Sequence, residues 1–408
     1  MKWLVLSFAL HVFIALPLSS QDCTDMLVHN GTEVVEAFDI DTTGHWWAIV
    51  RPYESMVVLI VDGDRYGPYN RVARPTFSPD GSSWVTHTEL NGELKILSPQ
   101  YIQLPQCNGV LAILYPQNST QPWFRILVAE QIVHTNGIVQ FSAINPTGQW
   151  ATDPSGSVLY HVATRGSLQA LVRNDREIAT ADEILLGGVW VDGRPVFAAR
   201  NGEVWTLFLG VEEVRTNLRN VRSLSVNITA TVLGGVVSTP LGEQAIMYSE
   251  EYTEPWLGPL VDGISFYALS PFAFLCVWEG SARGVKSVYY NTAPYPAGRS
   301  RGPIVFSHDG SVMGFIGSDD DDFVTIDGRR TMMNRRLSKD VVPALHPSGE
   351  SIAYSTGSSL AVWNISDKSF RLGRICDRVG KTIYNWRRGV FTTIGTFGER
   401  LFILECNP

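Results

Sequence analysis

Apolar residues along this chain alternate with polar ones in short runs, and each run ends in a cluster rich in Gly, Pro, Asp, Asn or Ser. Period-two alternation is the mark of strands with one buried face, and the clusters are the turns between them. The stretch 76–97 shows the unit. Thr76-Phe77-Ser78 enters, Pro79-Asp80-Gly81 turns, residues 84–88 form a second strand, Asn91-Gly92 turns again, and 94–97 form a third. The same walk fits near the other end: Ala344-Leu345, then Pro347-Ser348-Gly349, then strands at 352–355 and 360–365. No amphipathic helix longer than two turns is evident, so the pattern predicts an all-β chain.

One turn keeps returning: an apolar residue, polar residues or Pro, then Gly, then an apolar run. It is centred on Gly44, Gly81, Gly148, Gly310 and Gly349. Gly44 to Gly81 is 37 residues and Gly310 to Gly349 is 39, while Gly81 to Gly148 is 67 and Gly148 to Gly310 is 162. Read as one, one, two and four units, these spacings give eight steps of about 38 residues. Degraded turns fill the gaps near Gly109, Gly193, Gly242 and Phe272, and one more unit fits at Gly389. A period near 40 residues with several short strands per repeat predicts a β-propeller of four-stranded blades. Ten units are counted. Eight blades with a slightly different period, or two smaller propellers in tandem, remain open, and one closed ring is favoured.

The turns FSPDGSSW, FSHDGSVM and LHPSGESIAY resemble the Ser-Pro-Asp-Gly hairpins of the TolB-like propeller repeats of exported bacterial proteins. The stretch 59–81 is especially similar to that family's Val-Asp-Gly, Gly-Pro-Tyr and Phe-Ser-Pro-Asp-Gly series. Residues 358–373 also resemble a WD-repeat third strand, with Asn364 where Asp is usual. The resemblance is concentrated in about three units and implies fold more than function.

Residues 1–20 place Lys2 before an apolar run at 3–16, broken by Pro17 and followed by Ser19 and Ser20. That order predicts a secretory signal peptide, with His11 an unusual member of its core. The run is shorter than the roughly 20 residues a membrane span needs, and no second long apolar run follows. The expected domain is 21–408, secreted or periplasmic, with no membrane span after signal removal. A propeller joins its last blade to its first. Residues 26–29 form a lone strand before the first unit, and 400–405 end a unit that lacks its outer strand. Their pairing would close the ring and set Cys23 beside Cys406, so a Cys23–Cys406 disulfide is expected. Cys276, within an apolar strand, reads as a small buried hydrophobe. The pairing of Cys107 and Cys376 stays open.

The 45% of hydrophobic residues can bury a large core, and only 18% are charged. With 32 basic against 40 acidic residues and no basic stripe, nucleic acid is not the expected partner. No Gly-x-Ser-x-Gly elbow, phosphate-cradling loop or Cys/His cluster occurs. The hairpin at Ser78 also sets its Gly one residue too soon for the sialidase turn. His308 and His346 sit in repeat turns without a second His at ligand spacing and read as structural. Residues 319–322 (four Asp) could collect Ca²⁺ but read as a solvated hairpin, and Asp39, Asp41 and Gly44 imitate only the start of a calcium loop. Asn-x-Ser/Thr sites occur at Asn30, Asn118, Asn227 and Asn364. The tryptophans, among them Trp46, Trp47, Trp84, Trp123, Trp150, Trp190, Trp205 and Trp278, fall mostly on strands and should pack between sheets. No catalytic, cofactor-binding or metal residue is assigned. The expected role is an exported non-catalytic propeller that binds a protein or peptide on a loop face. A propeller enzyme acting on carbohydrate, lactone or another small substrate at the channel is the alternative, and a structural part of an envelope or surface assembly is a third.

Overall fold

The computed structural model describes residues 23–143, 145–296, 298, 300–319, 321–333 and 341–408. The expected leader, 1–20, lies outside them. The described elements are all strands, arranged in ten antiparallel sheets. Residues 34–69, 71–97, 109–143, 146–181, 183–218, 220–257, 263–296, 300–332 and 344–372 make blades 1 to 9 in order. Blade 10 is composite: 378–406 supplies its inner strands and Cys23–Asn30 the outermost, antiparallel to Arg400–Cys406. Cys23 faces Cys406 across that ladder, and their sulfurs are bonded. The chain is a ten-bladed β-propeller. Cys107, Cys276 and Cys376 are free thiols, and Cys276 is fully buried as expected.

Alternation explains how flat sheets become a ring. Each blade's middle strands are apolar on both faces, since each is covered by a neighbouring blade on either side. Mixed clusters therefore fill the seams. Trp46, Ile60, Ile394 and Ile403 close blade 10 onto blade 1, and Trp190, Leu207, Leu233 and Ile246 join blades 5 and 6. Trp123, Trp190 and Trp278 rank among the largest fully buried side chains, while Trp150 is half-buried.

The seam between blades 3 and 4 is built differently. His134 of Gln131–Thr135 and His161 of Leu159–Arg165 lie with ring centroids 5.2 Å apart, and Trp150 tilts against His134 at 5.1 Å. Both histidines are buried. No protein group bonds either ring nitrogen of His134, Nδ1 of His161 or Nε of Arg125. Burial first, then neighbouring positive charge, lowers His134 to about 3 and His161 to about 4.

The turn expectation needs three corrections. Gly148 lies inside the strand Pro146–Thr152, and blade 4 turns instead at Gly156. Gly109 begins the inner strand Gly109–Leu114, and Gly242 begins the third strand of blade 6. Blade 6 makes its first turn at 227–232, where Ala230 adopts φ 56° in place of glycine. This position and Gly81 form a test pair. Gly81 has φ 72°, and a Cβ there would lie 2.3 Å from Thr43 Oγ1. Gly81→Ala should cost about 2 kcal/mol, whereas Ala230→Gly should be neutral or stabilising by up to about 1 kcal/mol. Urea unfolding of both variants checks this, and equal effects would contradict the shared turn geometry.

Candidate functional site

Each blade's first hairpin starts from an anchor at the end of its inner strand. The anchors are Asp41, Ser78, Tyr115, Asp153, Trp190, Asn227, Ser270, Ser307, His346 and Asn385, spaced 37 to 43 residues apart. In six of them the anchor N–H donates to the carbonyl five residues on, as in Ser78 to Ser83 and Ser307 to Val312. A polar anchor also accepts from the returning strand. Val158 N donates to Asp153 Oδ1 at 2.7 Å, Ser83 N to Ser78 Oγ at 2.9 Å and Val312 N to Ser307 Oγ at 3.0 Å. Asx and Ser turns of this kind explain why Asp, Asn and Ser recur there. Asp80 in the same turn is held down to about 2 by the hydroxyls of Ser78 and Ser82, with help from Ser82 N–H.

The residue after each anchor stands at the mouth of the channel. It is Pro in five blades (79, 116, 154, 271 and 347), Thr42 and His308 in two, and Val191, Ile228 and Trp386 in the rest. None carries a carboxylate, a lysine or an arginine. Val191, Ile228, Trp386 and the adjacent Phe272 remain 54%, 41%, 46% and 43% exposed. They are nevertheless held firmly. Val191 N donates to Ala230 O at 2.9 Å and Ile228 N to Pro271 O at 3.0 Å, so backbone bonds cross from blade to blade. Trp386 stacks on His308 at 5.2 Å, Phe272 meets the same imidazole edge-on at 6.4 Å, and the Arg387 guanidinium lies 5.4 Å from the indole. Arg387 Nη2 in turn donates to Asp80 O of blade 2 at 2.7 Å. Burial lowers His308, so it is a neutral partner in this stack near pH 7.

Two hollows open between the inner strands at this mouth. One, of about 460 Å³, spans blades 10, 1, 2 and 3 and is walled by Asp39, Trp47, Arg74, Phe77, Tyr115 and Lys381 among others. The second, about 290 Å³, spans blades 3 to 6 between Pro116, Trp150, Gly188 and Ile228.

The sequence candidates are distributed as follows. Asp41 Oδ1 accepts from His45 N at 2.7 Å and is part of a turn, while Asp39 faces Lys381. Asp319 accepts from Arg330 Nη2 at 2.8 Å and Asp322 is a buried strand residue; Asp320 lies outside the described residues. Among the described residues no group of three or more His, Cys, Asp or Glu is placed to hold a metal ion. His346 Nδ1 accepts from Ser348 N at 3.1 Å and belongs to its turn. Of the four Asn-x-Ser/Thr sites, Asn30 and Asn118 are exposed. Asn227 is a buried anchor whose Oδ1 accepts from two backbone N–H groups. Sequence reading missed Trp386. Its signal was positional, an indole one residue after the anchor where five other blades carry Pro.

No known protein family matches the chain, and no curated protein matches it either. Three solved structures illustrate the similarity of shape. A eukaryotic initiation factor is 11% identical with a TM-score of 0.45, covering 84% of this chain and 89% of its own. An oligogalacturonate lyase in complex with manganese is 10% identical at 0.38, covering 95% and 98%. The β-propeller domain of Cps50 (Swd1) from Myceliophteria thermophila is 11% identical at 0.28, covering 64% and 97%. Scores and identities this low transfer neither activity nor partner. The TolB-like resemblance is likewise unsupported beyond the propeller fold that the blades themselves display.

Proposed function

We propose that this chain is an exported, non-catalytic propeller that binds an apolar-rich segment of another protein at the turn-side mouth. The observation that carries the reading is the uncharged ring of residues after the anchors, in which Val191, Ile228 and Trp386 are exposed, with exposed Phe272 next to Pro271. The Trp386 and Phe272 rings are held against His308, and the backbones of Val191 and Ile228 are bonded to the next blade. Pre-ordered aromatic anchors lose little entropy on binding and suit protein recognition. The two carboxylates on the larger hollow's wall, Asp39 and Asp41, are engaged by Lys381 and by the turn, which favours binding over acid–base chemistry at that place. A disulfide is compatible with an extracellular or periplasmic location. No helix among the described residues is long and apolar enough to cross a membrane.

Selection of a random peptide library on the folded protein tests this reading. Enriched peptides should be rich in aromatic and aliphatic residues. A Trp386→Ala, Phe272→Ala double variant with an unchanged thermal melt should bind them at least ~30-fold more weakly, the loss expected for a central anchor pair. Equal binding to both proteins, or no enrichment, would refute the proposal.

A further inference from the structure

The wall of the 460 Å³ hollow carries four charged residues: Asp39, Asp41, Arg74 and Lys381. Three have partners. Asp41 caps its turn through His45 N and the Thr43 hydroxyl, and Lys381 Nζ lies 3.6 Å from Asp39 Oδ2. Arg74 is exposed and its side chain makes no hydrogen bond or ion pair among the described residues. It lies within the break in blade 2's inner strand, between Arg71–Val72 and Thr76–Phe77, where Pro75 cannot donate to the ladder. Arg74 lines the same hollow as Trp47, Phe77 and Tyr115, so an unneutralised cation and an aromatic wall share one space. A planar guanidinium can hold a carboxylate through two parallel bonds, and the aromatic wall suits an apolar group attached to it.

Building on the peptide-binding reading of the mouth, we infer that this hollow takes a carboxylate borne by an apolar or aromatic residue, with Arg74 as its partner. The carboxylate can come from the end of a peptide lying across the apolar ring or from a free small acid. Lys381, tethered by Asp39, adds a second cation to the same wall. Because Lys381 belongs to blade 10 and Arg74 to blade 2, the hollow is complete only in the closed ring.

The test is a ligand-observed NMR titration of the full chain with N-acetyl-phenylalanine, its amide, and a library-selected peptide ending in phenylalanine as acid or as amide. The acids should bind at least tenfold more tightly than the amides, and Arg74→Gln should erase the difference. Raising salt should weaken only the acids. Binding by the peptide acid alone assigns the carboxylate to a chain end; binding by both acids assigns recognition to the hollow itself. Either supports the site. Peptides that lose affinity with Trp386→Ala and Phe272→Ala, yet bind equally as acid and amide and equally to Arg74→Gln, overturn the carboxylate site and leave the mouth intact. No acid-selective binding to the wild type overturns it as well.

Discussion

Replacing Cys23 and Cys406 together by serine is expected to lower the stability of the ring by about 4–5 kcal/mol. The bridge joins residues 383 apart in sequence, so reducing it releases nearly the whole chain in the unfolded ensemble. Loop-closure entropy grows only logarithmically, which places the effect near the top of the measured range for disulfides. At this chain length that corresponds to a fall in melting temperature of about 6 °C. The strand Cys23–Asn30 keeps its ladder to Arg400–Cys406, so the ring should still form, but its first strand becomes the easiest to detach. Detachment would bare the outer edge of blade 10 along Arg400–Cys406. Thermal melts combined with limited proteolysis read both effects. A variant that melts within a degree of the wild type, with no new cleavage near the first strand, would show that hydrogen bonding alone closes the ring.

Acid should weaken the protein well above the range in which carboxylates titrate, and the seam between blades 3 and 4 should be a main cause. His134 and His161 are held neutral at about 3 and about 4 when folded, against an ordinary value of 6.5. The unfolded chain therefore takes up protons that the folded chain refuses. Stability is intact above pH 6.5, falls as the pH drops through that value, and levels off only near the folded values. Between pH 7.5 and 4.5 the pair accounts for about two units each, on the order of 5 kcal/mol at 1.36 kcal/mol per unit. Arg125 faces both imidazoles and Arg165 faces His161, so no nearby carboxylate relieves the penalty. Urea unfolding at the two pH values, for the wild type and for a His134→Leu, His161→Leu variant, isolates this contribution. The variant should be no less stable at pH 7.5, because unpaired buried nitrogens are removed, and should lose far less stability at pH 4.5. An identical pH dependence in both proteins would place the acid sensitivity elsewhere.

Repetition made the architecture legible. Blades 1, 2, 8 and 9 turn at Gly44, Gly81, Gly310 and Gly349 as their Gly-centred motifs predict, because a positive φ at that point is easiest for glycine. Where another device holds the turn, the motif fades. Asn227 fixes its hairpin through its side chain and tolerates Ala230 at positive φ, so the sixth turn was misplaced at Gly242. The shift from Gly148 to Gly156 has a similar origin. Asp153-Pro154-Ser155-Gly156 is the true hairpin, and Gly148 has φ 106° within an irregular inner strand.

The pattern along the chain thus determined the all-β class and a repeat of about 40 residues, and it pointed to the ring closure and the Cys23–Cys406 bridge. Each follows from local alternation, turn chemistry or the matching half-units, all of which are written in consecutive residues. The choice of ten blades over eight or over two tandem rings came from the sheets themselves. Only the tertiary structure brought Trp386 of blade 10 against His308 of blade 8, ranged the residues after the anchors around one mouth, and set two histidines 27 residues apart into a single buried seam. It also left Arg74 unpaired in a hollow shared by four blades. Such groupings depend on the curvature of the closed ring and on which side chains run out of partners, and neither quantity is carried by any one stretch of sequence.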